Sequence, residues 1–97
     1  MTFVPENINR IPTRSEDFAA GRVGGFFPVD TDGGDVEVQL SAVDQCEGLY
    51  WFKNVGSGVL VIKAADDETI DGEAVLELVD QYASAAIAPG VDCWWVF

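Results

Sequence analysis

Leu49 to Gly72 reads LYWFKNVGSGVLVIKAADDETIDG, and the interpretation of the whole chain turns on it. An apolar-rich run, Leu49 to Lys53, is followed by a turn over Asn54 to Gly58, a β-branched run from Val59 to Lys63, and a second turn closed by Asp71 and Gly72. Two strands joined by a short Gly-containing loop predict a β-hairpin. Alternation places Tyr50 and Phe52 on one face of the first strand and Leu49 and Trp51 on the other. Both faces therefore carry bulk that water should not see. One face suits the core, and the other needs a second layer or a neighbouring copy of the molecule.

Moving toward the N-terminus, Asp35 to Val43 alternates with Val36, Val38 and Leu40 inward and Glu37 and Gln39 outward, the pattern of a half-buried antiparallel strand. The preceding DTDGGD, Asp30 to Asp35, does not fit a calcium loop. Counting from Asp30, Gly34 falls where an oxygen ligand is needed and Ser41 stands where the bidentate Glu belongs. A polar turn between strands accounts for it. Phe26 to Val29 reads as a short edge strand, because Pro28 has no N–H to give a ladder. Residues 1 to 24 show neither strand nor helix periodicity and predict an extended arm, with one helical turn over Ser15 to Ala20 capped by Ser15 and ended by Gly21.

Toward the C-terminus, Thr69-Ile70, Ala74 to Val79, Tyr82 to Ala88 and Val91 to Phe97 give further short strands, the last opposing Cys93, Trp95 and Phe97 to Trp94 and Val96. Seven or eight short strands with frequent turns predict an all-β domain over residues 25–97, an antiparallel β-sandwich or jelly-roll-like barrel, preceded by an arm over 1–24. The expected core is Val36, Val38, Leu40, Phe52, Val61, Leu76 and Leu78.

Ninety-seven residues make one domain with one core. No apolar run is long enough to cross a bilayer, and MTFVPENINR carries no apolar export segment, so neither a membrane partner nor secretion is expected. Five Lys and Arg against seventeen Asp and Glu, with no His, give a net charge of −12. Nucleic acid is not an expected partner, because phosphate binding needs clustered cations. The charge is unevenly spread. Arg10, Arg14 and Arg22 balance Glu6, Glu16 and Asp17 in residues 1–22, leaving the whole −12 on the remainder. Self-association of such a body must come from buried apolar area.

The order of landmarks from Leu49 to Phe97 resembles the small β-domains of tailed-bacteriophage virion surface proteins: an aromatic strand, KNVGSG, a TIDG turn, a strand entering at YAS, and PGVDCWWVF. The resemblance implies a structural module without an active site or cofactor, commonly trimeric, found in head decoration, head-fibre and tail-fibre proteins. A short arm and a single domain, with no repetitive shaft, are similar to capsid decoration or cement proteins. The expectation that follows is a homotrimer on the outer capsid surface of a virion, made in the host cytoplasm and bound to the major capsid protein. A receptor-binding, glycan-binding fibre module is the alternative.

The expected capsid-binding arm is Phe3, Val4, Ile8, Arg10, Ile11, Arg14 and Phe18, whose apolar side chains can dock at little electrostatic cost. The expected trimer interface is Trp51 with Trp94 or Trp95. Catalysis finds little support, since the chain lacks His, a nucleophile elbow and a phosphate-binding loop. Pairs such as Asp66 and Asp67, or Glu68 and Asp71, could serve a glycosidase, but they fall in turns of a highly acidic chain. Cys46 and Cys93 are too few for a zinc site; they read as free thiols, or as a bridge if the strands bring them together.

Overall fold

A computed structural model describes residues 12–97. The chain is nearly all β. Its strands are β1 (Phe18–Ala19), β2 (Val23–Val29), β3 (Val36–Gln39), β4 (Glu47–Asn54), β5 (Leu60–Lys63), β6 (Thr69–Ile70), β7 (Val75–Leu78), β8 (Ser84–Pro89) and β9 (Cys93–Val96). Among the described residues the one helical element is a 3-10 turn at Val43–Gln45. The strands form a four-stranded sheet, β1-β3-β5-β7, and a five-stranded sheet, β2-β4-β8-β9-β6.

The expected hairpin does not form. β4 pairs with β2 and β8, whereas β5 pairs with β3 and β7, so the turn after Asn54 carries the chain from one sheet to the other. The same crossing occurs one step earlier, from β2 over Asp30–Asp35 to β3. These two arches stack: β2 runs parallel to β4, and β3 runs parallel to β5. Val36 lies beside Leu60 and Val38 beside Ile62, so one rung advances the chain by 24 residues. The sheets are therefore mixed, not antiparallel, and the connectivity is solenoid-like with no clear jelly roll. Among the described strands, antiparallel pairing appears where the stack closes, at β7 and β8 and between β8 and β9.

The stacked arches are held by side chains that local sequence reads only as turn formers. Asn54, fully buried, accepts from the Thr31 hydroxyl at 2.7 Å and the Gly56 N–H at 3.1 Å, and its amide donates to Gly58 O at 2.8 Å and Leu78 O at 2.9 Å. All four hydrogen-bonding positions of the side chain are used. Asp32 accepts from the Ser57 N–H at 2.8 Å and Asp35 from the Val59 N–H at 2.9 Å, so DTDGGD is a turn whose acids bind the next arch. A Cβ on Gly56 would collide with the backbone nitrogens of Thr31 and Asp32. The arches touch through bare backbone.

Facing residues of both sheets share one core: Val36, Val38, Leu60, Ile62 and Leu78 from one, Val29, Tyr50, Phe52, Ile70, Ile87 and Trp94 from the other. Complete burial of such side chains contributes about 1.5–3 kcal/mol each. Leu40 is also buried and Leu76 packs against the cluster, as the alternation predicts. Val61 does not. The parity of β5 turns Leu60 and Ile62 inward and leaves Val61 half-buried on the outer side. Phe27 stacks on Phe52 with ring centroids 5.2 Å apart, and the Tyr50 ring meets Trp94 edge-on at 5.2 Å.

The first rung is partial, and it contains residues expected in the arm. Ser15–Ala20 forms no helical turn. Arg14 bridges to Val29, Phe18 and Ala19 pair with Val38 and Gln39, and Ala20 is buried. The open backbone of β3 offers more hydrogen bonds than a lone helical turn could keep, which overrides the Ser15 cap signal. Phe26–Val29 lies in an edge strand, and Pro28 is tolerated there because its neighbour on that side contacts it only through the Arg14 N–H donating to Pro28 O at 3.1 Å.

Candidate functional site

The five-stranded sheet presents two unlike faces. Its inner face is the core. On the outer face, strand parity aligns Phe26 of β2 with Trp51 of β4 and Ala86 of β8. Leu49 joins them two residues from Trp51. On the far side Trp95 of β9 stands beside Ala88, and Phe97 is brought onto the same face by its N–H, which donates to Ala86 O at 2.8 Å. The Phe26 and Trp51 rings meet edge-on, centroids 5.9 Å apart. Leu49, Trp51 and Phe97 enclose a hollow of about 400 Å³ floored by Ser84, Ala85 and Ala86.

This face is open to solvent. Leu49 is 44%, Trp51 48%, Trp95 57% and Phe97 78% exposed. It is also almost free of charge, because the strands of this sheet carry only Glu47 and Lys53. The outer face of the four-stranded sheet is ordinary by comparison. There Glu37, Gln39, Lys63 and Glu77 surround Val61 and Val75, and Lys63 approaches Glu37 at 3.8 Å. One sheet is finished for water and the other is not.

Of the three tryptophans expected at an interface, Trp51 and Trp95 reach this surface. Trp94 does not: it is fully buried between the sheets, where no partner can touch it, and its indole N–H has no acceptor among the described residues. Adjacent residues of a strand point to opposite faces, so Trp94 and Trp95 could not both be outward. Phe26, Leu49 and Phe97 complete the face. Leu49 and Phe97 had a signal in the alternation and Phe26 in a short apolar run, yet none could be grouped before the strand order was known.

Of the arm residues, Phe3, Val4, Ile8, Arg10 and Ile11 lie outside the described residues. Arg14 and Phe18 belong to the first rung, with the guanidinium 4.5 Å above the Phe18 ring and that ring 6.0 Å from Phe27. The acidic turns serve the backbone. Glu68 accepts from the Val43 N–H through both carboxylate oxygens, at 2.9 and 3.1 Å, and Asp71 accepts from the Val96 N–H at 3.0 Å. Among the described residues no three His, Cys, Asp or Glu side chains converge as metal ligands. Cys46 and Cys93 are free thiols.

Near the other margin of the sheet, the Tyr50 hydroxyl donates to Gly21 O at 2.7 Å. Burial pushes its phenol well above the usual range, and the neighbouring Cys46 and Glu47 add to the shift. The ring is thereby kept neutral inside the core. The chain matches no protein-family model, no curated protein and no solved structure.

Proposed function

We propose that the protein is a non-catalytic structural module that works by docking, and that its place is the outer surface of a bacteriophage head as a capsid decoration protein. The observation that carries the docking reading is the nearly charge-free outer face of the five-stranded sheet, with Trp51, Trp95 and Phe97 exposed on it in a chain of net charge −12. The virion setting rests on the landmark order of Leu49 to Phe97. On this reading the two sheets act as a rigid sandwich, three copies assemble, and the arm residues Phe3, Val4, Ile8, Arg10 and Ile11 reach the major capsid protein.

Cosedimentation with purified capsids tests it. A chain lacking residues 1–11 should stay folded but leave the capsids, and full occupancy by that chain would refute the arm as the anchor. The alternative, a glycan-binding receptor module, is favoured by a different observation: Tyr82 is an exposed ring with Lys53 Nζ 5.9 Å from its centroid, an arrangement suited to stacking on a sugar. Binding on a glycan array that is lost in Tyr82→Ala, without loss of fold, would put that reading first.

A further inference from the structure

We infer that the outer face of the five-stranded sheet is the contact between copies of this chain. The inference rests on the docking reading above and names the occupant of that face.

Area is the first argument. The exposed parts of Phe26, Leu49, Trp51, Trp95 and Phe97 amount to roughly 500 Å² of apolar surface, judged from the size of aromatic side chains. That is at the upper end of what a soluble monomer leaves open. With the alanine floor and margins added, it approaches the roughly 800 Å² per partner of a stable protein interface.

Charge is the second. A basic partner would be drawn to the acids, and these lie almost entirely elsewhere: of seventeen, only Glu47 is in a strand of this sheet. Two copies that met through the acidic turns would bring acids together. On this face the only charges in the strands are Glu47 and Lys53, one of each sign.

Relief is the third. Trp95 and Phe97 form a ridge at one margin, Phe26 and Trp51 another, and between them lies the hollow over Ala85 and Ala86. The surface thus contains both a projection and a depression sized for an aromatic ring, so a copy carries what its twin needs.

Sedimentation equilibrium of the purified full chain, without capsids, is the test. The expected mass is a defined multiple of the 10.5 kDa chain at micromolar concentration. Trp51→Glu and Trp95→Glu, both at exposed positions, should shift the mass to that of a single chain with unchanged circular dichroism. Val75→Glu, on the outer face of the other sheet, should leave it unaltered. A monomeric wild type at high micromolar concentration overturns the inference, as does an oligomer that survives both Trp substitutions. A monomer whose capsid or glycan binding is abolished by Trp51→Glu also overturns it while leaving the docking reading intact. An oligomer dissolved by the same change in a protein that ignores capsids upholds the inference and refutes the virion setting instead.

Discussion

Asn54 concentrates the fold's dependence on a single side chain. It closes one arch, reaches back to Thr31 in the arch beneath and forward to Leu78, and does so without access to water. Asn54→Ala should cost about 3 kcal/mol in urea unfolding, because several buried groups lose their partners together. Asn54→Asp keeps the shape but turns a carboxylate oxygen toward two carbonyls. Burial raises that acid's pKa in the folded chain, so the damage at neutral pH should ease as pH falls through the raised value and be least below about pH 4, the unfolded value, where the acid can donate again. Tyr50 sets a limit at the alkaline end. Its phenol titrates higher in the folded chain than in the unfolded one, so its contribution is complete below the unfolded value and is lost as pH rises through the folded one. Thermal stability should therefore decline above about pH 10, and Tyr50→Phe should flatten that decline while costing about 1 kcal/mol for the bond to Gly21. An unchanged alkaline slope in Tyr50→Phe would contradict this account.

At the level of strands, much of the sequence reading survives and its main error is instructive. The alternation in Val36–Gln39, Leu49–Lys53 and Val75–Leu78 assigns inner and outer faces correctly, and Asp71-Gly72 is the tight turn its composition predicts, both residues having positive φ. What alternation cannot convey is which strand pairs with which. KNVGSG satisfies a hairpin and an arch equally well on local grounds. The difference lies in contacts more than 20 residues away, Thr31 to Asn54 and Asp32 to Ser57. For the same reason the face could be half read: Trp51 is legible as lying opposite Tyr50 and Phe52, but choosing between Trp94 and Trp95 requires the partner strand. Gly56→Ala tests the arch directly. In a hairpin loop it would be mild, whereas here the methyl meets the backbone of the lower arch, and a loss of about 2 kcal/mol is expected. The partial first rung gives a second test. Relative to a chain lacking residues 1–11, removal of residues 1–20 strips β1 from β3 and should lower the melting temperature clearly.

For the molecule as a whole, the decisive contrast is between an acidic shell and one face nearly free of charge. The net charge of −12 opposes any meeting of copies, and the face that favours it carries almost none of that charge. Association should accordingly strengthen as salt is added, since screening weakens the repulsion and leaves apolar burial in place. A capsid grip through Arg10 should respond in the opposite direction, so a salt series separates the two events. The 24-residue step between Val36 and Leu60 has a further consequence. A chain built in this way has a unit of length. Copying residues 23–46 once more in tandem would add one strand to each sheet and lengthen the body by about 4.8 Å, leaving both ends as they are. Such growth by whole increments would widen the sticky flank in proportion, giving a lineage a way to tune its grip by counting segments instead of redesigning a surface.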